Sequence, residues 1–206
     1  KNSRAFYSTI CNFEGGIIDD VITNKFSDEL YMMVVNAGNR EKDVTWMKNA
    51  AYENELSIED FSDDSALIAI QGPASSEVLQ KFCDVDLGAI KRFAFIEGRV
   101  DGERALLSRT GYTGEDGFEI TIFDTPLENP QKAMKVWGSL LAAGSNAGIL
   151  PCGLGARDSL RLEAGLCLYG QDIDDTTTPV EAALEAIISG DQRDFVGKKK
   201  IYEQLS

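Results

Sequence analysis

Ser108-Arg109-Thr110-Gly111-Tyr112-Thr113-Gly114-Glu115-Asp116-Gly117-Phe118-Glu119 is the stretch whose reading decides the fold. Apolar runs flank it, Arg104–Leu107 before and Phe118–Phe123 after, each with the composition of a β-strand. A plain hairpin joins its strands through two to five residues. This connection is longer and holds Gly111, Gly114 and Gly117, a tyrosine and two acids. Glycine lets backbone approach a ligand closely, and tyrosine presents a flat apolar face with a polar tip. A long loop between firm strands is either an ordered surface turn or a functional element, and both readings stand for this one.

Working outward, Asp101-Gly102 joins a predicted strand Ala89–Val100 to Arg104–Ser108 and is the strongest hairpin signal in the chain. Upstream, Ala66–Gln71 is a near-continuous apolar strand. Gly72-Pro73 ends it, and Pro73 suits the first turn of a helix reaching Phe82. Leu56–Phe61 reads as a short strand. Asn39–Tyr52 places Val44, Met47 and Ala51 at helical spacing. Arg4–Phe13, Gly16–Asn24 and Leu30–Asn36 read as strands. Downstream, helices are expected at Gln131–Ala143, Gly153–Ala164, Val180–Ile188 and Lys198–Gln204, with a polar loop at Tyr169–Pro179. At least eight strands, several joined as hairpins, alternate irregularly with about six helices. That pattern predicts an α+β fold of largely antiparallel sheets with flanking helices rather than a doubly wound parallel one. No Gly-x-Gly-x-x-Gly element follows a strand, and Gly153-Leu154-Gly155 lacks the third glycine of a dinucleotide signal.

Composition narrows the function. The 206 residues carry 34 acids against 20 bases, a net charge of −14, which opposes general binding to nucleic acid or to anionic membranes. At 43% hydrophobic and 26% charged residues, the chain falls among globular proteins. No apolar run approaches the roughly 20 residues that span a bilayer. Lys1-Asn2-Ser3-Arg4 is not followed by the apolar stretch of a signal peptide, and the opening reads as a strand entered midway. Cys11, Cys83, Cys152 and Cys167 lie far apart, and there is no histidine. An ordinary zinc site and Ser–His or Cys–His catalysis within this chain are thereby disfavoured. The cysteines read as small buried residues in a reducing compartment.

The acids Asp19 and Asp20 are adjacent on a predicted strand, so their side chains point to opposite faces. An inward carboxylate is costly unless it meets a partner. The alternative is a bulge or strand end with both acids solvated. Asn36 can satisfy the next turn, cap the following helix or contact a ligand. Arg157 and Arg161 share a helix face, where an arginine is either solvated or clasps a carboxylate. Asp174 and Asp175 resemble calcium-loop residues without the EF-hand spacing.

Four segments then act together: Gly15-Gly16-Ile17-Ile18-Asp19-Asp20; Tyr31–Asp43, with Val-Val-Asn-Ala; the 108–119 loop; and Gly153–Glu181, with Arg-Asp-Ser-Leu-Arg-Leu-Glu-Ala-Gly-Leu. In this order they resemble the aminomethyltransferase family, the T-protein of the glycine cleavage system. The resemblance implies a folate-binding α+β domain of two interlocked halves. It implies transfer of one carbon from the aminomethyl-lipoyl arm of H-protein to tetrahydrofolate, with release of ammonia and no metal. It places Asp20 at the reacting folate nitrogen and lines the folate pocket with Asn36, Tyr112, Glu119 and Arg157. Leu166 stands where the family often has an aromatic residue, and Ala186 where it usually has tryptophan. Family members also carry an N-terminal segment and a C-terminal β-barrel, so residues 1–206 are expected to be a fragment lacking both. Two rivals stay open: another tetrahydrofolate-dependent demethylase of the superfamily, or a non-enzymatic folate-binding scaffold. The scaffold relatives centre on a Lys-Gly-Cys motif, which this sequence lacks. The expected location is a bacterial cytoplasm, or the mitochondrial matrix if the source is eukaryotic.

Overall fold

The 108–119 loop joins two neighbouring strands of a four-stranded sheet. In the computed structural model, which describes residues 3–51, 56–188, 190 and 193–206, the strands are β1 (Arg4–Cys11), β2 (Ile17–Lys25), β3 (Tyr31–Val34), β4 (Ser65–Gln71), β5 (Phe95–Val100), β6 (Glu103–Ser108) and β7 (Gly117–Phe123). The α-helices are α1 (Arg40–Ala51), α2 (Ser75–Gln80), α3 (Gln131–Gly144), α4 (Leu154–Glu163) and α5 (Lys198–Leu205). The class is α+β, as expected. The chain divides into two units. One comprises Phe61–Leu166 with Lys25–Ser27 and the start of β1; the other comprises Phe6–Asn24, Asp28–Asp60 and Cys167–Ser206.

In the first unit the sheet runs β4-β7-β6-β5, with every neighbouring pair antiparallel. Period-two alternation sends Ile68 and Ile70 of β4, Ala105 and Leu107 of β6, and Phe118, Ile120 and Ile122 of β7 to one face. Val78 and Leu79 of α2 and Val136 and Leu140 of α3 close the core over them. Burying a side chain the size of Phe118 or Ile120 contributes roughly 1.5–3 kcal/mol. The same alternation turns Glu119 to the opposite face, opposite Ala69 on one side and Ser108 on the other. The Asp101-Gly102 turn has φ values of 51° and 81°, the double positive φ of a type I′ hairpin.

In the second unit the sheet order is β1-β2-β3. The turn between β1 and β2 closes through Asn12, whose backbone N–H donates to Gly16 O at 2.8 Å. A Cβ on Gly16 would lie 1.8 Å from the Asp175 carbonyl oxygen, so only glycine fits. The 169–179 loop is held against this turn: Ile17 N–H donates to Thr177 O at 2.9 Å, and the Asn12 side chain donates to Asp175 O at 2.9 Å. Asp174 is used locally, accepting from Thr176 N, Thr176 Oγ1 and Thr177 Oγ1, an Asx-type turn.

Three expectations fail for physical reasons. Leu56–Phe61 alternates like a strand but has no ladder partner; Leu56 is exposed, and Asp60 is drawn instead to Arg40 Nε at 2.7 Å. Ala89–Val100 becomes a strand only from Phe95, because Asp86 caps a 3₁₀ turn at Leu87–Ala89 and Phe93 takes a positive φ of 53°. Val180–Ile188 starts as a helix should, with Thr178 and Glu181 forming a reciprocal capping box. Ala183 then enters the left-handed region at φ 55°, and only a 3₁₀ turn, Glu185–Ile187, follows. The described residues therefore hold seven strands and five α-helices. The final predicted residue of the first helix, Tyr52, lies outside them. Among the cysteines, Cys11 is buried and Cys83 and Cys167 are half-buried, but Cys152 is exposed. No helix among the described residues is long and apolar enough to cross a membrane.

Candidate active site

The acids of β2 divide as strand alternation requires, with Asp19 as the inward one. Asp19 has no exposed surface, whereas Asp20 is half-buried. The alternative of a bulge or strand end with both acids solvated does not hold. Asp19 accepts three N–H donors: Asn36 N at 3.1 Å, Asn36 Nδ2 at 3.0 Å and Asn39 Nδ2 at 2.8 Å. Asp20 accepts from the Tyr7 hydroxyl at 3.1 Å and from Asn36 Nδ2 at 3.0 Å. Burial pushes the Asp20 carboxyl above its ordinary value, opposed by the Tyr7 hydrogen bond, reinforced by the charge of Asp19 and opposed again by Asn36.

Asn36 resolves its three possible uses in an unforeseen way. Its side chain caps no helix. Its amide instead bridges both acids, also reaching the Asp20 carbonyl at 3.2 Å. A third acid, Asp43 in the first turn of α1, meets Asp19 and is itself fully buried. A helix N-terminus favours negative charge by less than about 1 kcal/mol at an exposed position. Here desolvation prevails, and with Asp19 beside it the Asp43 carboxyl is pushed up to about 8. Lys42 opposes that rise, but its ammonium donates to Ile18 O at 2.5 Å and sits 4.0 Å over the Tyr169 ring. Among the described residues no group of three or more His, Cys, Asp or Glu side chains is arranged to hold a metal ion.

The loop in the other unit is built around its own charges. Arg109 clasps Asp116 bidentately, Nε to Oδ1 at 2.9 Å and Nη2 to Oδ2 at 2.6 Å, and its third donor reaches Ile90 O at 2.8 Å. The pairing lifts Arg109 and lowers Asp116 from their ordinary values. Gln71, at the end of β4, donates to Thr110 O at 3.2 Å and Phe118 O at 3.3 Å across the base of the loop. A Cβ on Gly111 would lie 1.8 Å from Gln71 Oε1, and one on Gly114 would lie 2.8 Å from Ala164 Cβ. These glycines thus let the chain's own groups approach.

Three predicted pocket residues belong to this unit. Glu119 is half-buried and accepts from the Thr110 hydroxyl at 2.5 Å. Tyr112 is half-buried, with the Arg157 guanidinium 4.3 Å over its ring. Arg157 is exposed, whereas Arg161, one turn later, is buried, pairing with Asp158 at 2.8 Å and donating to Leu166 O at 3.2 Å. Of the five predicted residues, Asp20 and Asn36 touch each other, Tyr112 and Arg157 touch each other, and Glu119 is held by Thr110. Tyr7, Asp43 and the Arg109–Asp116 clasp were missed. Their only signals were a tyrosine within an alternating strand, an acid in a helix's first turn and a charge pair seven residues apart.

Fold and acid cluster together define an α+β domain in which a half-buried carboxylate is held by a tyrosine and an asparagine. The chain belongs to the family described as the GCVT N-terminal domain, whose model matches residues 1–192. It is 45% identical to the aminomethyltransferase of Thermoanaerobacter sp. (strain X514), over 99% of this chain and 54% of that protein. It is 46% identical to the aminomethyltransferase of Thermotoga neapolitana, over 96% of this chain and 53% of that protein. The solved structure of the glycine cleavage system aminomethyltransferase T from Bartonella henselae superposes with a TM-score of 0.83 at 34% identity, covering all of this chain and 54% of that one. The chain spans about half the length of the curated relatives it matches.

Proposed function

We propose that this chain is the folate-binding part of a tetrahydrofolate-dependent aminomethyltransferase of the glycine cleavage system. In the proposed reaction the carbon–sulfur bond of the aminomethyl-lipoyl group on H-protein breaks and sulfur keeps the electron pair. The carbon–nitrogen bond to ammonia also breaks, and two folate nitrogens take the carbon. The two protons they lose end on ammonia and on the lipoyl thiol. The half-buried Asp20 carboxylate on β2, held by Tyr7 and Asn36, is the observation that carries this reading. A carboxylate whose affinity for a proton is raised by burial is suited to accept one from a folate nitrogen. Its charge would also stabilise the iminium cation left when the carbon quits sulfur.

The remaining residues bind the folate in this proposal. Glu119, oriented by Thr110, accepts from the amide and amino donors of the pterin, a paired pattern matched to a carboxylate. Tyr112, with the Arg157 guanidinium over its ring, stacks against a flat ring of the folate. Arg157, exposed at its tip, pairs with an anionic part of the substrate, and Asn36 holds the acid that faces the reacting nitrogen. The test is single-turnover assay of the full-length protein with aminomethylated H-protein, with and without tetrahydrofolate. Ammonia and methylenetetrahydrofolate should appear together in equal amounts and only with the folate present. Ammonia release indifferent to folate, or carbon taken only from a methylated amine, overturns the reading.

A further inference from the structure

Asp43 has no part in the proposed chemistry, yet with Asp19 it is one of the two fully buried acids among the described residues. It has no exposed surface, and neither of its carboxylate oxygens accepts a hydrogen bond among the described residues. Leaving such a group ionised and unmatched is expensive. Its neighbour Asp19 is equally buried but already accepts three N–H donors from Asn36 and Asn39. Two carboxylates in contact cannot both hold a charge away from water. Asp19 is the saturated acceptor of the pair and Asp43 is the one with nothing to accept, so the proton resides on Asp43 and points at Asp19.

We propose that Asp43 acts as a neutral carboxylic acid that positions Asp20: its hydroxyl donates to Asp19, Asp19 fixes the Asn36 amide, and that amide holds the Asp20 carboxylate. The inference rests on the reading of Asp20 as the reacting acid and adds a residue to it. The charged groups facing Asp43 are Asp19 and Asp20 from β2 and Lys42 from its own helix; the two aspartates hold the proton on and the lysine works against them. Because the Asp43 carboxyl titrates at about 8, the arrangement is intact at neutral pH. It fails above that value, when a second charge appears beside Asp19. A macroscopic titration here belongs to the group of acids rather than to one member.

The experiment uses the full-length protein with Asp43→Asn and Asp43→Leu. The asparagine keeps a donor of the same shape; the leucine keeps the bulk and removes the donor. Partners that orient a ligating group at metal sites cost about 10–100-fold in activity when lost; taking the same scale for an acid that orients another, Asp43→Leu should lower kcat by about that factor with little change in KM for tetrahydrofolate. Asp43→Asn should rescue most of the loss and abolish the fall in kcat that the wild type shows above about pH 8. Infrared difference spectra at neutral pH should show a buried protonated carboxyl in the wild type and lose it in Asp43→Asn.

The melting temperature supplies a readout independent of turnover. A carboxyl raised in the folded state gives stability that is fully present below the unfolded value and is lost as pH rises through the folded one. Wild type should therefore lose stability relative to Asp43→Asn between about pH 4 and pH 8. Equal damage by asparagine and leucine, or a carboxyl band unchanged by Asp43→Asn, overturns the proposal. If Asp43→Leu does not fold, the asparagine variant and the spectra decide alone. Failure of the underlying reading looks different: Asp20→Asn would keep full turnover while the carboxyl band and the melting trend remain.

Discussion

The acid cluster on β2 and the loop before β7 handle charge in opposite ways. In and beside the loop Arg109 clasps Asp116, the Thr110 hydroxyl donates to Glu119, and Arg157 of α4 lies over Tyr112. In the cluster three acids crowd together with only amides, a phenol and a distracted lysine to hold them. The Arg109–Asp116 clasp behaves as scaffold, because pairing raises the arginine and lowers the aspartate, away from neutrality. In the cluster, Asp43 is pushed up to about 8, near the balance between ionised and neutral, and Asp20 is shifted in the same direction. On the proposed function, the cluster does the chemistry and the loop the recognition.

The sharpest way to break it is Asp20→Asn in the full-length protein. The amide keeps the shape and the Tyr7 contact but cannot accept a proton. Turnover should fall by about 10²–10⁴ while tetrahydrofolate affinity, measured by titration, stays within a small factor. An equal loss in affinity would move Asp20 to the recognition side and dissolve the contrast. The next effect is structural and compares one glycine from each region. Alanine at Gly16 would drive Cβ into a backbone oxygen at 1.8 Å, whereas alanine at Gly111 would meet the movable end of Gln71 at the same distance. Gly16→Ala should cost about 3 kcal/mol or more, at or beyond the top of the overpacking range. Gly111→Ala should cost less, about 1.5–3 kcal/mol, the value of the three Gln71 side-chain hydrogen bonds it displaces. Denaturant melts of both variants check this. Shortening Gln71 to alanine in the Gly111→Ala background should recover little or none of that loss, because the hydrogen bonds are then already gone.

These glycines also show what the sequence could and could not say. The strands around the loop, the Asp101-Gly102 hairpin and the helices at Gln131 and Lys198 were legible, because alternation, turn chemistry and helical spacing are local. The 108–119 loop was legible as special, but the reason differs: Gly111 and Gly114 admit Gln71 and Ala164, residues far along the chain that no local pattern names. Leu56–Phe61 had the pattern of a strand and lacked a neighbour, and pairing is a tertiary property. Of the site, Asp20 and Asn36 were nameable through family likeness, while the 3.0 Å hydrogen bond from Asn36 to Asp20 is a tertiary contact that no local pattern names. Asp43 was invisible because an acid in a helix's first turn ordinarily marks a solvated cap, and only burial against Asp19 changes its character.

The smallest effect concerns the loop's clasp. Asp116→Asn would leave Arg109 its bond to Ile90 O and replace a charged bidentate contact by a neutral one. The pair is partly open to water, its side chains 23% and 41% exposed, so solvent screening holds the loss to about 0.5–1 kcal/mol at neutral pH. The sign with pH discriminates. Asp116 is held below its ordinary value by Arg109, so its contribution is present above the unfolded carboxylate value and disappears as pH falls through the folded one. Melting curves of wild type and Asp116→Asn should therefore differ at pH 7 and converge in acid. The Asp43→Asn comparison has the opposite sign, with wild type losing stability relative to the variant as pH rises. Opposite slopes from two aspartates in one chain would establish that one region pins its charges and the other keeps a proton in play; parallel slopes would remove the distinction.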